Sequence, residues 1–134
     1  MVYNKAFTFK DKVWAQDVKP VFEFEISDTS HFYTMQITIR VTTGYDYSNL
    51  WMFVHSKAPN GETGREPYEM KITNPDGSWA GKTSGTIVEN SFYFRNRKFP
   101  QKGKYRFTFE QGITEKTANN VMDISCSIYR EEKQ

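Results

Sequence analysis

The chain predicts an all-β fold, a jelly-roll-like antiparallel sandwich of two sheets with about nine to ten strands. Three observations predict it. Apolar and polar residues alternate with period two over several segments, the pattern of strands buried on one face. Turn-forming clusters separate these segments at the spacing of a sandwich or barrel. The composition is lean in hydrophobic residues (37%) but 16% aromatic, with 11 Phe and 8 Tyr carrying much of the burial. A sheet that is polar on one face must bury the other on a second sheet, which makes a two-sheet closure the natural one.

The 134 residues fit a single domain, 1–134, able to bury a sizeable core. A net charge of +2 is too mild to call for nucleic acid or an anionic membrane as partner. The one cysteine, Cys126, excludes an internal disulfide and a paired-cysteine metal or redox site. No apolar run approaches the ~20 residues of a membrane span.

In order, Ala6–Lys10 alternates with Phe7 and Phe9 on one face, and Val13-Trp14 follows a charged turn. Val21–Ile26 places Phe22, Phe24 and Ile26 inward. Tyr33–Val41 places Tyr33, Met35, Ile37, Ile39 and Val41 inward. Leu50-Trp51-Met52-Phe53-Val54 is apolar at both parities, so it reads as a central strand covered on both faces, with Trp51 in the core. The turn Pro59–Gly61 and a polar loop, Glu62–Glu66, lead to a short strand Tyr68–Thr73. Asn74-Pro75-Asp76-Gly77 has the residue order of a type I turn. A small-residue loop then runs to Gly85, followed by strands at Thr86–Glu89 and Ser91–Phe99. Tyr105, Phe107 and Phe109 alternate inward, Gly112–Asn120 reads as a loop, and Val121–Tyr129 closes the fold with Met122, Ile124, Cys126 and Ile128 inward.

No motif for a nucleophile elbow, a zinc protease or a phosphate-binding loop is present. His31 and His55 stand alone and read as strand-end or surface residues. Glu23 and Glu25 share one face of a strand, at a spacing that would suit a glycosidase pair, but they read as the solvated face. Asn74, Asp76 and Ser78 resemble the start of a calcium loop without its distal acid. The chain therefore reads as no enzyme, with no cofactor. Residues 95–106 hold six basic side chains and no acid, a patch suited to an acidic partner or lipid headgroups. Tyr45, Tyr47, Trp51, Trp79 and Tyr93 would suit a platform for stacking sugar rings, or the core and its loop anchors. Trp79, after a turn among glycines, stays open between the two. The candidate interaction surface is Tyr45, Tyr47, Asn49, Trp79, Arg95, Arg97 and Lys98.

Four motifs in order carry a family resemblance. They are Tyr45-x-Tyr47-Ser48-Asn49-Leu50 with the Pro59–Gly61 turn, and Asn74–Gly81. The third is Phe99–Tyr105 leading to Phe109-Glu110-Gln111, and the fourth Val121-Met122-Asp123-Ile124. Together they resemble the gliding-motility lipoprotein GldH family of Bacteroidetes over nearly the whole chain. The resemblance implies an exported, lipid-anchored protein of the cell envelope, facing the periplasm, with Met1 standing where the lipidated cysteine would be. It implies envelope proteins as partners, in gliding or type IX secretion-linked assemblies, and membrane contact only through the anchor. A carbohydrate-binding module is the alternative. Two departures stand out: Gly112-Ile113-Thr114 lacks the family's basic residue after Gln111, and Ser125 replaces a usual glycine. Asp46, Ser48 and Asn49 are expected to hold their loop by side-chain to backbone hydrogen bonds.

Overall fold

The computed structural model describes residues 2–112 and 117–131. Among these are eleven strands. They are β1 Tyr3–Thr8, β2 Val13–Ala15, β3 Val21–Ile26, β4 Tyr33–Thr42, β5 Asn49–Lys57, β6 Thr63–Lys71, β7 Lys82–Ser84, β8 Ile87–Arg97, β9 Gly103–Gln111, β10 Thr117–Asn119 and β11 Val121–Arg130. The first sheet has the order β1-β11-β4-β8-β7, the second β3-β9-β5-β6, and β2 pairs with β10. All pairings are antiparallel. Setting aside the three short strands β2, β7 and β10, the order is that of a jelly roll, in which successive long strands alternate between sheets except at the β5–β6 hairpin.

Alternation decides what lies between the sheets. Along β4 every second residue is buried, from Tyr33 through Met35, Ile37 and Ile39 to Val41. β3 contributes Phe22, Phe24 and Ile26, and β9 contributes Tyr105, Phe107 and Phe109, all buried. Phe24 stacks on Phe107 with ring centroids 5.7 Å apart and meets Tyr3 at 5.4 Å, which closes one side of the sandwich. On the other side Tyr68 of β6 stacks on Phe92 of β8 at 4.2 Å. Trp14 is fully buried at one end, stacked on Phe9 at 4.9 Å, with its indole N–H donating to Val18 O at 2.7 Å. Cys126 is buried in the middle of β11, and burial pushes its thiol up to about 12.

Several elements differ from the sequence reading. β5 is an inner strand, between β9 and β6, but it is covered on one face only. Leu50 and Met52 are buried, whereas Trp51 is 43% exposed. Phe53 is half-buried beneath the Arg65 guanidinium, 3.9 Å from its ring centre. Two parities of apolar residues do not create a third layer, so the second set sits on the outer face. The segment Glu62–Glu66 is polar because β6, which starts at Thr63, is a sheet edge with little to bury, not because it is a loop. The small-residue stretch holds β7.

Two further expected strands merge into the single β8, whose ladder to β4 runs unbroken from Ile87 to Phe94; at the expected break Asn90, polar but buried, pairs with Ile39 and its side chain donates to Ile39 O and Val88 O. β10 lies within the expected loop Gly112–Asn120, while Ile113 and Thr114, one of the two family departures, fall outside the described residues, as does Met1. The first strand is Tyr3–Thr8, leaving Phe9 buried beyond its end and Phe7 partly exposed. A bulge between Val121 and Asp123 shifts the parity of β11 at its start, so Val121 is buried and Met122 only half-buried.

Candidate functional site

The seven candidate surface residues fall into two groups at opposite ends of the β4–β8 ladder. Thr42 pairs with Ile87 at one end and Tyr33 with Arg97 at the other. Nine residue steps of strand separate them, about 30 Å at about 3.3 Å per residue.

At the first end the loop 43–48 enters β5. Tyr45 is 5% exposed and donates its hydroxyl to Asn49 O at 2.8 Å. Burial pushes that phenol well above its usual range. Tyr45 is thus a staple of the loop and no part of a stacking platform. Tyr47 stands edge-on to it at 5.8 Å and is 43% exposed. Asn49 sends its amide to Glu69 across the hairpin at 2.6 Å, and among the described residues no side-chain hydrogen bond of Asp46 or Ser48 holds the loop. The backbone does more: Ser48 O accepts from Ile72 N and Thr73 N.

Trp79 is half-buried against the core, held by a bridge from Thr73. The turn before it forms as its residues dictate. Gly77 N donates to Asn74 O at 2.9 Å, Gly77 takes φ of 88°, and Asp76 accepts from Ser78 N at 3.0 Å. The Ser78 hydroxyl, which donates to Asp76 Oδ1 at 2.6 Å, and then Ser78 N hold the Asp76 carboxyl below its ordinary range and use it within the turn.

At the second end the basic side chains of Arg95 and Arg97 on β8, and of Lys98 just after it, are exposed and ride on rings. The Arg95 guanidinium lies 4.8 Å from the Tyr93 centroid, Arg97 5.6 Å from Phe94, and the Lys98 ammonium 5.2 Å from Phe32. None of the three meets a carboxylate among the described residues. The other ion pairs of this end are internal. Arg106 pairs with Glu23 at 3.2 Å and Arg130 with Asp28 at 3.5 Å. Beside the basic group the sandwich gapes. A cleft of about 60 Å³ lies between the edges of β6 and β8, lined by Tyr68, Glu66, Phe94, Arg97, Met35 and Phe107 among others.

Two clusters were invisible before the strands were paired. Arg40 and Asp123 are 83 residues apart but directly opposed on β4 and β11, and Arg40 Nε donates to both carboxylate oxygens at 3.0 and 3.1 Å. This gives the aspartate of the fourth motif a structural role. On the outer face of the second sheet His55 Nε2 sits 2.9 Å from Glu110, which also meets Lys19 at 3.6 Å. The His55 hydrogen bond, then the Lys19 charge, hold the Glu110 carboxyl below its usual range. Phe53 and Glu110 are cross-strand partners, so the register, not the sequence, brings Glu110 to His55. Among the described residues no three His, Cys, Asp or Glu side chains converge as metal ligands. No helix there is long and apolar enough to cross a membrane.

Fold and surface therefore define a jelly-roll sandwich whose polar and aromatic groups are spread over separate outer patches. The GldH lipoprotein family model matches residues 1–128, and the chain belongs to that family. A gliding motility lipoprotein GldH homolog of Christiangramia forsetii is 32% identical over 101 residues, 75% of this chain and 62% of that protein. The gliding motility lipoprotein GldH of Flavobacterium johnsoniae is 29% identical over 103 residues, 76% and 64% of the two chains. The matched region thus spans under two thirds of the length of each relative. Likeness to solved structures is loose. A subviral particle of infectious bursal disease virus VP2 aligns at a TM-score of 0.42 and 10% identity, over 93% of this chain and 32% of that one. A family 16 carbohydrate-binding module aligns at 0.35 and 8% identity, over 90% and 74%.

Proposed function

We propose that this chain is the folded domain of a lipid-anchored, periplasm-facing envelope protein that works without catalysis, by protein–protein contact, in an assembly linked to gliding or type IX secretion. The family match over residues 1–128 carries the reading. The exposed aromatics at the two ends of the sandwich, and at one of them three cations without carboxylate partners among the described residues, support it, since such groups make contacts and are not arranged as acid, base and nucleophile. Site-specific photo-crosslinking from positions 47 and 97 in the host tests it. A defined envelope protein crosslinked at either position, and loss of spreading on gene deletion, are the expected results. Wild-type spreading by the deletion strain, in a host that glides, would overturn the assembly role.

The exposure of Trp51, beside Glu69 on the neighbouring strand, keeps a glycan-binding reading as the second one. Tryptophan fluorescence titrated with a glycan panel decides it. A saturable change that Trp51→Ala removes would favour it over the first.

A further inference from the structure

We propose that the uncovered outer edge of β8, Ser91–Arg95, is a docking strand for an extended acidic segment of a partner protein. This rests on the contact-protein reading above and names its surface and chemistry. β7 pairs with β8 only at Ile87, Val88 and Glu89. Beyond Glu89 the strand has β4 on one side and, among the described residues, no strand on the other. Its outward backbone donors and acceptors are those that an added strand would satisfy. The run ends where Asn96, at φ of 57°, gives its N–H to Glu131 at 2.8 Å. The other edges suit an acidic guest less: β6 carries Pro67 among Arg65, Glu66 and Glu69, β3 carries Glu23 and Glu25, and β1 carries the single cation Lys5.

Side chains on the edge alternate in a way that specifies the guest. Phe92 and Phe94 point toward Tyr68 and the cleft, so every second residue of an added strand would close that mouth with an apolar group. Tyr93 and Arg95 face outward, with Tyr93 46% exposed. Arg95, Arg97 and Lys98 lack carboxylate partners among the described residues, and each lies over a ring that holds it. Stacked guanidinium groups keep their in-plane N–H donors for a carboxylate. Charge and edge together select an extended chain alternating acidic and apolar residues. Lipid headgroups would answer the charge but not the ladder.

The test is fluorescence anisotropy with a labelled ten-residue peptide alternating glutamate and valine, against the same peptide with lysine for glutamate, together with amide hydrogen exchange. The expected result is saturable binding of the acidic peptide only, weakened about tenfold or more by Arg95→Gln/Arg97→Gln. Slower exchange should be confined to residues 91–95. Equal binding of both peptides, protection at β1 or β6 instead, or binding to phosphatidylglycerol vesicles without binding to the acidic peptide would each overturn it. The exchange measurement uses the unaltered chain, so it stands even if the double variant folds poorly. Failure here leaves the crosslinking result at position 47 untouched, so the two readings fail separately.

Discussion

β8 is one strand with two characters. Its first part, Ile87–Glu89, is covered by β7 and runs into a tight packing corner. A Cβ on Gly81 would lie 2.4 Å from both Glu89 O and Asn90 Oδ1. Its second part, from Ser91 on, has an open flank among the described residues and carries exposed Tyr93, Arg95 and Arg97. The same ladder to β4 supports both. One half of the strand is thus fixed by its neighbours and the other is free to meet something else, which separates what holds the fold from what the fold presents.

Gly81→Ala is the harshest way to probe that division. One of the clashing atoms is backbone, so the corner must shift, and the expected loss is about 2–3 kcal/mol in denaturant unfolding. Ser91→Ala, on the open flank, should stay within about 0.5 kcal/mol by the same measurement. Equal losses would erase the distinction between the halves. Next in size is Asp123→Ala, which removes the bidentate partner of Arg40 on the far side of β4. A cost of about 1.5–3 kcal/mol is expected, the range for a hydrogen bond to a charged group. It shows the inner strands of the sheet to be held from β11 as well as from β8.

The smallest effect is a pH dependence at the open end. Hydrogen bonds from the Ser30 hydroxyl and Ser30 N, and then the His31 charge, hold the Asp28 carboxyl at about 2, below its ordinary 3.8. A depressed carboxylate contributes stability above its unfolded pKa, and that contribution is lost as pH falls through the folded one. Asp28→Ala should therefore flatten the midpoint-against-pH curve between pH 3.8 and about 2. An unaltered acid limb would show that Asp28 orders its loop without contributing to acid stability.

Much of the sandwich was legible in the sequence because alternation translates directly into burial. The inward sets of β3, β4 and β9 follow from period two alone. Trp51 misled because a run apolar at both parities states nothing about how many layers surround it. The first half of β6 and the whole of β7 were hidden for the opposite reason, since edge strands of polar residues look like loops until a partner is found for their backbone. The candidate surface was named residue by residue, but its division into two ends depends on the β4–β8 register. The Arg40–Asp123 and His55–Glu110 contacts depend on register too, and no local spacing encodes it.

Cys126 gives the molecule an internal clock. Its thiol is shut inside the first sheet and burial keeps it protonated at ordinary pH, so a maleimide can reach it only when β11 parts from its neighbours. Labelling of this single cysteine therefore times the opening of the sheet from within. Conditions or partners that tighten the sandwich would register as a slower clock, with no probe added to either of its contact ends.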